Sequence, residues 1–183
     1  WDARGKLCGQ PLYKLLGGSS KAIKAYAGGI ALGYQAPESL ADEAMQYVRA
    51  GYRALKLRLG DSVADDSALR AVRARVGDEI DILTDVNAAY SLDEVRRLMP
   101  ALEEVRVGWL EEPFACDNFG AYRTAAAMSS RVPIAAGENH YTRYEFAQLL
   151  EERAVQVFQP DLSKTGGITE SMRIAALVSA WGY

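Results

Sequence analysis

Six apolar runs recur along the chain at a nearly even pitch. They are AYAGGIA at 25–31, YRALKLRL at 52–59, IDILTDV at 80–86, VGWLEEP at 107–113, PIAAGEN at 133–139 and AVQVFQPD at 154–161. Several are close to continuous in apolar residues, the pattern of parallel strands buried on both faces. The stretches between them carry helical periodicity and helix start signals. PESLADEAMQYVRAG (37–51) opens on proline and acids and ends at glycine, as helix ends require. ADDSALRAVRARVG (64–77) follows, and then SLDEVRRLMPALEEV (91–105), which opens on a Ser-x-x-Glu capping box. Pro100 interrupts that last helix or marks its final turn. Helices at 118–130, 142–152 and 169–181 complete six β-α units.

Strand starts at 25, 52, 80, 107, 133 and 154 set a unit of about 21–28 residues. Regular βαβα alternation at that pitch predicts an α/β fold with a parallel sheet and helices outside it. A doubly wound open sheet and a (β/α)8 TIM-type barrel both satisfy the alternation. No Gly-x-Gly-x-x-Gly follows the first strand and no phosphate-binding P-loop occurs. Polar residues instead close nearly every strand, which is how a barrel assembles one shared site. The expected fold is therefore an incomplete (β/α)8 barrel over 21–183, preceded by a lead-in segment at 1–20. The chain starts on Trp1 and ends on WGY straight after a helical run, so it reads as a piece of a longer protein.

Composition narrows the partners. With 183 residues, 49% hydrophobic and 25% charged, the chain can bury a real core and sits in the globular class. A formal net charge of −3 argues against nucleic acid and anionic membrane as partners. No apolar run approaches a membrane span, and no signal-peptide pattern opens the chain. Cys8 and Cys116 show no metal-type spacing and read as buried or idle thiols in a reducing compartment. The expected location is cytoplasmic.

The chemistry lies at the strand ends. Asp85, Glu111 and Glu138 close three successive strands, 26 and 27 residues apart. A lone carboxylate in such a loop faces water, but three in phase with the strand repeat converge on one face of a barrel. Their mutual repulsion calls for a divalent cation. All-oxygen ligands point to Mg²⁺, with Mn²⁺ as a substitute. Glu112 cannot be a ligand of the same kind as Glu111, because adjacent strand residues point to opposite faces. Parity alone does not say which of the two points inward. One strand earlier, Lys56 and Arg58 share a face. They either snorkel to solvent or hold a substrate carboxylate and take part in proton transfer. Asp161 ends the sixth strand, with Lys164 three residues on. A proton donor and acceptor flanking a metal from opposite sides suits chemistry next to a carboxylate.

Taken in order, these motifs resemble the enolase superfamily, within its mandelate racemase/muconate-lactonizing enzyme family. WDARGKLCGQPLYKLLGG (1–18) is similar to the family's segment just before the barrel. ALKLRLG resembles its Lys-x-Lys strand, TDVNAAYS its Asp-x-Asn strand, and WLEEPF its Glu-Glu-Pro strand. AAGEN and QPDLSKTGGITE resemble the two segments that follow. The resemblance implies Asp85, Glu111 and Glu138 as ligands of one Mg²⁺, with Asn87, Asn139, His140 and Lys164 in supporting or substrate-binding places. It implies a carboxylic acid substrate whose α-proton is removed to give a metal-stabilised enediolate, chemistry for which the superfamily uses a Lys or His base. A homo-oligomer is expected at full length.

Asp161 sorts subgroups. Muconate-cyclising and dipeptide-epimerising relatives carry lysine there, whereas mandelate racemase-like enzymes and acid-sugar dehydratases carry aspartate paired with a histidine on the seventh strand. This chain departs from the family pattern in having Arg58 for the second lysine, a poor general base. That favours one-sided dehydration of an aldonate or aldarate, with Lys56, Arg58 and Asp161 as the catalytic set. Racemisation of a 2-hydroxy acid is the alternative, and a catalytically inactive truncated barrel is another. A phosphate-binding aldolase-type barrel is a further reading. The partner histidine is none of the residues present. His140, the one histidine, either lines the pocket or caps the next helix.

Overall fold

The computed structural model describes residues 1–28 and 32–183. Two short helices come first, α1 (Asp2–Cys8) and α2 (Leu12–Leu15), neither with a buried residue. The Trp1 indole N–H donates to Thr169 Oγ1 at 2.8 Å, tying this lead-in to the far end of the chain. The rest alternates: α3 (Pro37–Arg49), β1 (Ala54–Arg58), α4 (Ser62–Val76), β2 (Asp81–Asp85), α5 (Leu92–Glu104) and β3 (Val107–Glu111). It continues through α6 (Phe119–Ala126), β4 (Ile134–Ala136), α7 (Thr142–Glu151), β5 (Val157–Phe158) and α8 (Ile168–Ala180).

Local chemistry explains the helix starts. Pro37 sits in the first turn of α3, where its missing N–H costs nothing. The Asp61 carboxylate accepts from Val63 N at 3.2 Å and caps α4. The expected capping box on α5 forms in full, with Ser91 Oγ accepting from Glu94 N at 3.3 Å and Glu94 Oε2 accepting from Ser91 N at 2.7 Å. Pro100 lies inside α5, which runs on to Glu104, so it does not stop the helix.

The five strands form one parallel sheet in the order β1-β2-β3-β4-β5. A doubly wound sheet needs a reversal of order at a switch point. Sequential order has none, and with right-handed crossovers every helix falls on the same side. The architecture is that of an incomplete (β/α)8 barrel. Six strands were expected, and among the described residues five form. Around the first expected strand, the described residues make only two isolated parallel bridges, Ala27 to Leu55 and Gly33 to Arg58. Residues 29–31 of that expected strand lie outside the described residues.

The core lies between sheet and helices. Leu55, Leu57, Ile82, Leu110 and Ile134 are fully buried from the sheet, against Leu69, Val72, Leu98, Leu102, Phe146 and Leu149 from the helices. At the N-terminal end of the strands, Arg73 donates Nε to Val105 O at 2.9 Å. Its Nη1 donates to Gly77 O at 2.8 Å and Ile80 O at 2.7 Å. One side chain therefore satisfies three carbonyls where the strands begin.

One irregularity bears on the site. Ile82 pairs with Val107 but Thr84 pairs with Leu110, so β3 holds one residue more than β2 across that interval. This bulge lets Val107 and Leu110 both bury in the core although their parity differs. Gly108 lies in it, where a Cβ would stand 2.7 Å from Leu83 Cδ2 and push that side chain aside.

Candidate active site

Parallel strands bring all their C-terminal ends to one side. There the register aligns Arg58 with Asp85 and Asp85 with Glu111, and it places Glu111 beside Ala135. Residues in register share a face, so these side chains meet. Lys56 Nζ lies 2.7 Å from Glu111 Oε1 and 2.9 Å from Asp85 Oδ2, and Arg58 Nη1 lies 2.9 Å from the same Asp85 oxygen. Asp85 and Glu111 are each 2% exposed. Buried carboxylates persist as anions only when paired, and here two cations from β1 lie against two anions from β2 and β3. Burial alone would pull the Lys56 ammonium down, but its hydrogen bonds and attraction to Glu111 and Asp85 hold it above the ordinary lysine value. Neither Lys56 nor Arg58 runs out to solvent.

The supporting residues divide. Asn87 has a left-handed φ of 53°, and its backbone N–H donates to Asp85 Oδ1 at 3.1 Å while the residue itself is exposed. Asn139 donates to Glu112 Oε2 at 2.7 Å and accepts from Lys164 Nζ at 2.8 Å, linking the end of β3 to the loop after β5. Asp161, three residues past β5, accepts at Oδ1 from Ser163 N at 2.7 Å and Lys164 N at 3.0 Å, and from the Ser163 hydroxyl. That hydroxyl, then the two backbone N–H groups, holds its carboxyl below the usual range.

Glu138 lies in the turn just after β4. Its charge is felt at Glu112, where burial first, then Glu138, Asp85 and Glu111, push the carboxyl up against the Asn139 bond. Glu112 therefore feels the charge of all three expected ligands. It is 2% exposed, has a φ of 39°, and its Oε1 is buried with no hydrogen-bond partner. The left-handed backbone takes it out of simple strand alternation, which parity reasoning could not foresee.

His140 is placed elsewhere. Its ring packs edge-on against Phe119 and Phe146, and Nε2 lies 3.0 Å from Cys116 O. Burial pulls the imidazole below its ordinary value. It neither joins the carboxylates nor caps α7, whose N-cap is Tyr141. Of the two thiols, both free, Cys8 is exposed.

Three participants were not foreseen. Trp109 Nε1 and Gln159 Nε2 both donate to Glu111 Oε2, at 3.0 and 2.9 Å. Asp65 Oδ2 accepts from Gly60 N at 2.9 Å, Asp61 N at 2.7 Å and the Tyr90 hydroxyl, pinning the loop after β1 to the loop after β2. Trp109 was two residues from a flagged glutamate, a same-face spacing that could have found it.

Among the described residues, no three His, Cys, Asp or Glu side chains converge closely enough to hold a metal ion as they stand. The donor chemistry nevertheless fits a hard divalent cation. Two buried carboxylates stand in register with a cation, the Lys56 ammonium, already between their facing oxygens. Glu112 Oε1, a buried carboxylate oxygen on the residue next to Glu111, has no hydrogen-bond partner.

Comparison with known proteins agrees with this geometry. Residues 39–183 match the family described as enolase C-terminal domain-like. The chain belongs to the enolase superfamily, in its mandelate racemase/muconate-lactonizing enzyme family. It is 37% identical over 189 residues to the arabinonate dehydratase of Saccharolobus solfataricus, covering 100% of this chain and 50% of that protein. An enolase-superfamily structure from Polaromonas sp. JS666 superposes with a TM-score of 0.96 at 61% identity, over 99% of this chain and 48% of that one. A Bradyrhizobium enolase complexed with magnesium and mandelic acid superposes at 0.88 with 31% identity, over 99% and 50%. The chain spans about half the length of the curated relatives it matches.

Proposed function

From this family membership and the strand-end cluster, we propose that the full-length protein is a Mg²⁺-dependent lyase that dehydrates an acid sugar of the aldonate or aldarate class. The observation that carries the proposal is the Lys56–Glu111–Asp85–Arg58 cluster, in which two cations and two carboxylates interleave at the C-terminal strand ends. Asp85, Glu111 and Glu138 would hold the cation, with Mn²⁺ as a substitute. When bound, it supplies Lewis-acid stabilisation of the negative charge that builds on the substrate carboxylate as the α-proton leaves.

The chain's own residues do the rest. Lys56 and Arg58 face the place where the substrate carboxylate docks and offset its charge. Arg58 cannot accept a proton near neutral pH, so proton removal falls to the opposite side, where Asp161 stands. Asp161 orients a histidine from the remainder of the protein and stabilises its cation, as a carboxylate does for imidazole. That histidine takes the α-proton and then returns a proton to the leaving β-hydroxyl, so the products are water and a 2-keto-3-deoxy acid. Asn139 and Lys164 border the site on the Asp161 side. A dehydratase named for arabinonate among the relatives supports the aldonate class.

The test is to incubate the full-length protein with a panel of aldonates and aldarates plus Mg²⁺ and assay for 2-keto-3-deoxy product. Asp161→Asn should lower turnover by roughly 10²–10⁴-fold and stop exchange of the substrate α-proton with deuterated solvent, with Mg²⁺ affinity nearly unchanged. The second reading is racemisation or epimerisation of a 2-hydroxy acid. It draws on Lys56, which reaches the same carboxylates from β1. Exchange that survives Asp161→Asn but vanishes in Lys56→Ala would favour that reading over ours.

A further inference from the structure

The two oxygens of Glu111 have different surroundings. Oε2 accepts from Trp109 Nε1 at 3.0 Å and from Gln159 Nε2 at 2.9 Å. Oε1 accepts from Lys56 Nζ at 2.7 Å, and the same ammonium lies 2.9 Å from Asp85 Oδ2. Oε1 is therefore the oxygen turned toward Asp85, and Oε2 is already committed to two donors. We infer that Trp109 and Gln159 are positioning residues that make Glu111 offer a single oxygen to the cation, and so set the site's preference for Mg²⁺ over Ca²⁺. This inference rests on the Mg²⁺ reading above.

Each donor is placed by a specific feature of the fold. Trp109 sits two residues before Glu111, within the bulged interval between Val107 and Leu110. Its ring meets Tyr26 edge-on at 6.1 Å, and Tyr26 in turn lies 5.9 Å from Lys56 Nζ. Lys56, Glu111, Trp109 and Tyr26 thus form a closed ring of contacts. Gln159 reaches inward just past β5 because Gly137 lets the backbones close up. A Cβ at Gly137 would stand 2.8 Å from the Gln159 main chain.

Cation size makes this matter. Mg²⁺ demands near-octahedral geometry at short distance and suits carboxylates that give one oxygen, whereas the larger Ca²⁺ accepts two oxygens from one carboxylate. Freeing Oε2 removes the orientation that suits Mg²⁺ and opens two-oxygen binding. Outer-shell partners of this kind are worth roughly 10- to 100-fold in metal affinity.

Calorimetric titration of the full-length protein with MgCl2 and with CaCl2 tests this in the wild type, Trp109→Phe and Gln159→Leu. Trp109→Phe keeps an aromatic ring and deletes the N–H together with part of the indole. Gln159→Leu keeps the volume. Each variant should bind Mg²⁺ about tenfold more weakly and lose less affinity for Ca²⁺, so the Mg²⁺/Ca²⁺ ratio falls, while melting in EDTA stays at the wild-type temperature. An unchanged Mg²⁺ affinity, or equal losses for both ions, overturns the inference while the metal site stands. A wild type that takes up no Mg²⁺ overturns both. Two variants with different fold risks are used, and the ratio in either one decides.

Discussion

Two arginines, Arg58 and Arg73, stand at opposite ends of the same sheet and do different work. Arg58, at the C-terminal end of β1, lies against the Asp85 carboxylate in a cluster of side chains from neighbouring strands. Arg73, on α4, donates to the main-chain carbonyls of Gly77, Ile80 and Val105 near the strand starts, and burial pulls its guanidinium below the usual value. Charge answered by charge leaves a polar, reconfigurable site. Charge answered by backbone fixes where loops turn into strands. A barrel keeps stability at one face and chemistry at the other, and this chain does so with one residue type.

The comparison can be broken by substitution. Arg73→Met leaves three carbonyls without their donor, and about 2–4 kcal/mol of stability should go with them. Thermal melting reads this, and Mg²⁺ affinity should not move. Arg58→Met should lower turnover on the order of 100-fold through loss of a positioned charge next to the substrate carboxylate, with a melting temperature close to wild type. If Arg58→Met instead melts early and Arg73→Met is inactive but stable, the division of labour is wrong.

A smaller effect concerns the aromatic packing behind the loop after β4. His140 is buried among aromatic rings, and that burial pulls its imidazole below the ordinary value. The folded state therefore prefers the neutral ring. Its contribution is complete above the unfolded pKa and is lost as pH falls from there toward the folded pKa. Stability of the wild type should drop as pH goes below about 6.5, and His140→Gln should flatten that part of the profile. Melting temperatures at steps between neutral and mildly acidic pH check this. A steeper acid loss in the variant would place the titrating group elsewhere.

Much of this arrangement was legible in the chain before its coordinates. The five strands fall within the expected apolar runs because both-face burial writes itself as unbroken hydrophobicity. The capping box at Ser91 and Glu94 was legible because it is purely local. Asp85 and Glu111 could be placed on neighbouring strand ends from the repeat alone. Parity, however, assumes a regular strand, and the bulge between Val107 and Leu110 and the left-handed backbone at Glu112 both break that assumption. Gln159 stands 48 residues from the glutamate it holds, so no spacing rule reaches it. His140 sits two residues from Glu138, yet the turn after β4 sends its ring outward to Phe119 and Phe146. The family resemblance supplied the roles; the local backbone decides which side chains can take them.

The central claim is that carboxylates at successive strand ends hold one Mg²⁺. The direct measurement is calorimetric titration of the full-length protein with Mg²⁺, wild type against Glu111→Gln. The wild type should bind one ion per chain, and the variant, with a neutral amide replacing a charged oxygen, should bind on the order of 100-fold more weakly or not at all. Equal affinity in the two proteins would contradict the assignment.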